Sequence, residues 1–159
     1  MVQLFNDILT RVELFSDMFP IKEVDGIAYE VDTKMITPKS ESLFDSSSEF
    51  EDPIPEVVWR CHLSEIDCSK TDYIKRLKKY LGDLSSKLQE SGSEDLEAFQ
   101  NGVNSFAKKT IDDFDKYKVY LGENDDQVFS KGMPVLLGQR DNGEPYLIYW
   151  KHGVVEEKY

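Results

Sequence analysis

Cysteine, histidine and long apolar runs are all scarce in this chain, and each scarcity removes a class of function. Only Cys61 and Cys68 occur, seven positions apart, so there is neither a C-x-x-C knuckle nor a disulfide framework, and two reduced thiols are expected. Of the two histidines, His62 follows Cys61 directly, and neighbours on a strand face opposite ways, so no nucleophile and base pair is expected there. His152 precedes Gly153 and reads as a turn residue. The longest purely apolar run, Tyr146 to Trp150, falls far short of the ~20 residues that cross a bilayer. The N-terminal stretch "MVQLFNDILTRVELFSD" has polar or charged residues every few positions and no signal-peptide core. A cytoplasmic protein with no membrane insertion is expected. Phosphate-cradling glycine loops, nucleophile elbows and zinc-binding helix motifs are missing from the sequence. Basic residues are also few: 19 against 31 acids leave a net charge of -12, which repels phosphate backbones and excludes general nucleic-acid binding.

What the chain does have is core material. With 159 residues, 40% hydrophobic and 12% aromatic, a single domain over residues 1–159 is expected. Ile27 to Val31 alternate as a half-buried strand does, and Val57, Trp59, Cys61 and Leu63 form a second alternating set. Between these lies a segment rich in Ser, Pro and acids, read as a flexible acidic loop over 38–56. From Ser69 the period changes to 3.6, with Tyr73, Ile74, Leu77, Tyr80, Leu81, Leu84 and Leu88 on one side of a helix. Ser69 and Asp72 read as its capping box. Gly92 breaks that helix, Ser93 is the expected N-cap of the next, and Leu96, Phe99, Val103, Phe106 and Phe114 mark a second buried stripe. The two helices form a hairpin over 69–114. Asn142-Gly143 between apolar runs signals a β-hairpin. Strands, a helical hairpin and strands again predict an α+β fold that is mainly antiparallel β.

Three groups of polar residues are candidates for function. Lys75, Arg76, Lys78 and Lys79 project from the polar side of the first helix, a basic face suited to an acidic polymer or to solvent. Glu123, Asp125 and Asp126 follow a strand that ends at Gly122. Their spacing is not that of an EF-hand, and the plain reading is a strand end whose glycine permits a tight exit. Any calcium held there, with an acid from elsewhere, is expected to bind at ~10⁻⁴ to 10⁻³ M; no other cofactor is expected. Ser46 and Ser48 each have a glutamate three positions on, Glu49 and Glu51, as acid-directed kinases require.

The ordered segments "VELFSDMFPIKEVDGIAYEVDTKMI", "HLSEIDCSKTDYIKRLKKYL", "FDKYKVYLGEN" and "GMPVLLGQRDNGEPYLIYWKHGVVEEKY" together resemble the translationally controlled tumour protein family. The resemblance covers nearly the whole chain. It implies a tent-like β domain with an inserted helical hairpin and a mobile acidic loop, similar in fold to a zinc-containing accessory protein of Rab GTPases and to methionine-R-sulfoxide reductases. The paired cysteines of those relatives are absent, so their chemistry does not transfer. It further implies a monomeric, non-enzymatic interaction protein of growth and survival that binds a small Ras-family GTPase, binds calcium weakly and associates with microtubules. Glu13 is the position it assigns to the GTPase, expected to point outward from an extended segment. Lys75, Arg76, Lys78 and Lys79 are those it assigns to tubulin. Catalysis of nucleotide exchange and chaperone-like shielding of clients are the alternatives. The chain departs from the family where "FDSSSEFED" replaces a glycine-rich loop signature, in "NDDQVFSKG" after Glu123, and at Tyr159, where many relatives carry a cysteine that allows disulfide dimers.

Overall fold

The structure is a computed structural model and describes residues 3–37, 53–92, 94, 96–122 and 132–158. In chain order its elements are β1 (Gln3–Asp7), β2 (Glu13–Ser16), β3 (Ile21–Val24), β4 (Ala28–Asp32), β5 (Met35–Ile36), β6 (Ile54–Pro55) and α1 (Glu56–Arg60), then β7 (Ser64–Ile66), α2 (Lys70–Glu90) and α3 (Leu96–Asp112), then β8 (Lys118–Leu121), β9 (Val135–Gln139), β10 (Pro145–Trp150) and β11 (Val154–Lys158). The strands form a six-stranded sheet in the order β3-β4-β10-β9-β8-β7, a three-stranded sheet in the order β11-β1-β2, and the short pair β5-β6. All of these pairings are antiparallel. The fold is therefore the mixed α+β class, mainly antiparallel sheet, that the alternation of apolar residues predicts.

Aromatic rings join the two larger sheets. Phe5 of β1 stacks on Phe15 of β2 with centroids 4.4 Å apart, and Phe15 meets Tyr149 of β10 at 4.3 Å. The Tyr149 hydroxyl donates to the carbonyl of Leu14 at 3.0 Å, so the buried phenol leaves no polar atom unsatisfied. On the other side of the six-stranded sheet lies the helical hairpin. Phe106 of α3 meets Trp150 edge-on at 5.3 Å, and the Tyr73 hydroxyl at the start of α2 bonds Thr110 Oγ1 near the end of α3 at 2.8 Å. That pairing of start with end makes the two helices antiparallel. Ser69 caps α2, its hydroxyl accepting from the Asp72 N–H at 3.1 Å. Ser93 lies outside the described residues.

Two tight turns close hairpins of the six-stranded sheet, the expected one at Asn142-Gly143 and another at Asp25-Gly26. The Asn142-Gly143 connection is a three-residue loop in which only Gly143 has positive φ, at 88°, and Gly143 N–H bonds Arg140 O. At the β3–β4 connection both Asp25 and Gly26 have positive φ, 54° and 69°, with Ile27 N–H bonded to Val24 O at 3.0 Å.

The strand expected through Val57, Trp59, Cys61 and Leu63 is instead the helix α1 and the turn after it. Within the helix and its end Val57, Val58 and Cys61 are buried, a helical spacing, and Leu63 in the turn is buried as well, so that the coincidental alternation conceals the helix. Pro55 precedes the first turn, where its missing N–H costs nothing. His62 follows in left-handed backbone at φ 55° and is exposed beside the buried Cys61, so the pair still cannot meet. The loop expected over 38–56 is shorter at its C-terminal end: Ile54 and Pro55 pair with Ile36 and Met35, and Glu56 begins α1. Residues 38–52 lie outside the described residues.

Candidate interaction surface

Glu13 opens β2 and is half-buried, not the outward, exposed carboxylate expected of its sequence position. The reason lies in its neighbours, since Leu14, Phe15 and Ser16 are all buried and β2 is therefore covered on both faces. What covers Glu13 is the end of α1: the Cys61 thiol, 4% exposed, donates to the Glu13 carboxylate at 3.9 Å. Burial and then the Glu13 charge and hydrogen bond push that thiol up to about 12, with Arg60 opposing. A thiol so shifted stays protonated and inert at neutral pH, and it acts as a fixed donor to the carboxylate. Among the described residues Glu13 forms no ion pair.

The position of α1 is itself fixed from the connection between β4 and β5. Val57 N–H donates to Thr33 Oγ1 at 3.2 Å and Glu56 N–H to Lys34 O at 2.9 Å. On the outside of the helix Arg60 Nε bonds Glu56 Oε2 at 2.9 Å, the i,i+4 arrangement that suits a single turn. From the other side, Gly122 packs against β2. A Cβ there would stand 3.3 Å from Val12 Cγ1 and 3.4 Å from a Leu14 Cδ. Its φ is not in the left-handed region, so close approach, and not the tight exit expected after β8, accounts for this glycine.

The basic residues divide. Lys75, Lys78 and Lys79 are exposed on the side of α2 away from the buried Leu77 and Tyr80, whereas Arg76 is half-buried on its flank. Arg76 faces Cys68, whose thiol is raised by burial first and lowered in part by the guanidinium. A basic surface of three lysines therefore remains, with the arginine at its edge. Glu123, Asp125 and Asp126 lie outside the described residues, as do Ser46 and Ser48. Among the described residues no group of three or more metal-binding side chains is assembled, and no helix is long and apolar enough to cross a membrane.

Arg140 carries a cluster that the sequence does not announce. From the β9–β10 connection it bonds Glu30 and, at 2.8 Å, Asp32 of β4, while its guanidinium lies 4.0 Å over the Tyr146 ring. These pairs tie the loop to a neighbouring strand more than a hundred positions earlier. Only the alternation of Glu30 and Asp32 on one face of β4 hints at it.

The fold defines a mixed α+β protein with a large antiparallel sheet backed by a helical hairpin, and its named charged groups sit on separate elements, Glu13 beside α1 and the lysines along α2. The sequence profile described as "Translationally controlled tumour protein" matches residues 2–155. A translationally-controlled tumor protein homolog of Gibberella zeae is 38% identical, with 98% of each chain covered, and the homolog of Schizosaccharomyces pombe is 32% identical over 98% of this chain and 99% of its own. Among solved structures, the Translationally Controlled Tumor-associated Protein p23fyp from Schizosaccharomyces pombe superposes with a TM-score of 0.81 at 31% identity, covering 99% of both chains. The translationally-controlled tumor protein of Caenorhabditis elegans gives 0.71 at 25% identity over 99% of this chain and 98% of its own. The chain belongs to the translationally controlled tumour protein family.

Proposed function

We propose that this protein is a cytoplasmic, monomeric binding protein and not an enzyme, acting in growth and survival by engaging a small Ras-family GTPase through the surface around Glu13. The observation that supports this reading is the setting of Glu13: its carboxylate is half-buried, is oriented by the Cys61 thiol and forms no ion pair among the described residues. A carboxylate already ordered and partly desolvated loses little further entropy when a cation of the partner docks on it. The three exposed lysines of α2, with Arg76 at their edge, form a second contact surface for the acidic exterior of microtubules. Weak calcium binding by Glu123, Asp125 and Asp126, and phosphorylation at Ser46 and Ser48, belong to the same proposal as auxiliary sites.

The test is calorimetry of the wild type and Glu13→Val against a Ras-family GTPase. The thiol is a weak donor, so losing its acceptor is expected to cost no more than about 1 kcal/mol of stability. Affinity is expected to fall at least about tenfold, the 1.4 kcal/mol equivalent. Equal affinity of two folded proteins overturns the assignment of Glu13. In the same assay, substoichiometric protein is expected to leave the rate of nucleotide release unchanged; acceleration would make the protein an exchange catalyst instead.

A further inference from the structure

Five described serines and threonines have an acidic residue three positions on, the spacing that acid-directed kinases require: Thr10 with Glu13, Ser64 with Asp67, Ser69 with Asp72, Ser91 with Glu94 and Thr110 with Asp113. Spacing alone does not rank them, but the fold does. Thr110 is 2% exposed, and its hydroxyl donates to Ala107 O at 2.8 Å. Thr10 and Glu13 are both half-buried. Ser64 belongs to β7, where it pairs with Leu121 of β8. Ser69 caps α2, and its acid Asp72 lies inside that helix. Ser91 differs from the other four. α2 ends at Glu90 and α3 begins at Leu96, so Ser91 and Glu94 both lie in the connection between the helices, and both are exposed.

A kinase draws its acceptor into an extended line across its cleft, and an exposed connection yields this without loss of a strand ladder or of helical core. Presenting Ser91 opens only the end of α2. There Ser91 N–H bonds Lys87 O at 3.1 Å, and Gly92 N–H, at a residue of φ 67°, bonds Gln89 O at 3.2 Å. The Ser91 hydroxyl donates to Leu88 O at 3.1 Å. Bonds of a last helical turn are among the first to open in a folded protein. Presenting Ser64 with Asp67 would instead strip β7 from β8, and presenting Ser69 with Asp72 would unwind the first turn of α2.

We infer that Ser91 is a phosphorylation site for an acid-directed protein kinase using ATP, and that the modification loosens the last turn of α2. In the transfer the Ser91 oxygen bonds to the γ-phosphorus of ATP while the bond from that phosphorus to the β–γ bridging oxygen breaks. ADP leaves, and the hydroxyl proton passes to the catalytic base of the kinase. The phosphoserine oxygen carries no hydrogen, so the bond to Leu88 O is lost. The phosphate also stands at the negative end of a 21-residue helix, where an anion is disfavoured. Lys87, one turn back, attracts it, but Glu90 and Glu94 on either side repel it. This inference is independent of the GTPase reading.

The test incubates the full chain, as wild type, Ser91→Ala and Glu94→Gln, with purified casein kinase II, magnesium and ATP, beside a synthetic peptide of residues 86–98. Both positions are exposed, and thermal unfolding is expected to verify that the variants fold. Phosphopeptide mapping by mass spectrometry is expected to place phosphate on Ser91 and to find Thr10, Ser64, Ser69 and Thr110 unmodified. Glu94→Gln is expected to slow modification of Ser91 at least about tenfold, as the loss of one charge pair from the kinase complex does. In the phosphorylated protein, hydrogen exchange of the Ser91 and Gly92 amides is expected to quicken at least about fivefold, as the loss of one net hydrogen bond does. A peptide modified on Ser91 beside a folded chain that is not overturns the inference, because the connection then fails to present its serine. Ser91 left unmodified in both, or phosphate on Ser64, Ser69 or Ser93 in its place, overturns it as well. Unchanged amide exchange in the phosphorylated protein overturns the effect on α2.

Discussion

Among the described glycines, Gly153 is the most closely enclosed. A Cβ there would stand 1.9 Å from the Tyr80 hydroxyl oxygen and 2.7 Å from Met133 Cε, both in the core, so α2 can approach the β10–β11 connection only where no side chain intervenes. Tyr80 makes this close contact without a compensating bond: its hydroxyl is buried and has no hydrogen-bond partner among the described residues, and burial, together with the charge of Asp7, holds its pKa well above the ordinary tyrosine value. Gly153→Ala is therefore expected to lose roughly 1–3 kcal/mol, as overpacked cores do. Tyr80→Phe is expected to be neutral or stabilising, since it removes a desolvated group that gains nothing. In the double variant the hydroxyl clash is gone, so the loss is expected to be smaller than the sum of the single effects. Urea unfolding of the four proteins measures the cycle, and strict additivity would show that the two groups do not meet.

At the scale of the element, α2 depends on both its end and its middle. Ser69 accepts the Asp72 N–H at 3.1 Å, and Ser69→Ala is expected to cost about 1 kcal/mol by orphaning that donor. Gly82 sits within the helix, exposed, and a Cβ at this position would meet nothing within 4 Å. Gly82→Ala is expected to return about 0.5–1 kcal/mol, because alanine has less backbone freedom to lose. Thermal unfolding that moved in the same direction for both variants would contradict this account. Lys75, Lys78 and Lys79 lie outside the buried stripe, so neither change is expected to disturb the basic surface. The shorter α1 is another matter. With five residues it is too short to hold itself together, and its bonds to Thr33 and Lys34 are what keep Trp59 and Cys61 in place.

The molecule as a whole stores acidic protons in its core. Burial first, with smaller local effects, raises Cys61, Tyr73 and Tyr120 to about 12 each, and raises Tyr149 far above the ordinary value. An unfolded chain would release these protons nearer 9.0 for a thiol and 10.0 for a phenol. The folded state thus binds more protons than the unfolded one in that range, so the stabilisation is complete below about pH 9 and is lost as pH rises towards 12. Each group fully involved contributes a slope of about -1.4 kcal/mol per pH unit. The urea midpoint is expected to be level from pH 7 to 9 and to fall steeply by pH 11. A flat profile through pH 11 would mean that these groups ionise in the folded protein.

Much of this was legible because it depends on local spacing. The seven-position stripe from Tyr73 to Leu88 needs only the 3.6-residue period to become α2, Ser69 needs only its backbone donor three residues on, and alternation is enough to yield an antiparallel α+β class. The order of four segments along the chain was likewise enough to point to the family. Tertiary structure decided what alternation leaves ambiguous. Val57 to Leu63 fits a strand pattern and a helix pattern alike, and the choice fell to Thr33 and Lys34, which offer acceptors to a helix N-terminus there. Glu13 reads as exposed in its own segment, yet Cys61, 48 positions away, covers it, because β2 is packed on both faces. The exposure of Met18, Met35 and Trp59 is of the same kind. Exposure is a property of what the rest of the chain fails to cover, and no window of sequence contains the residues that would have done so.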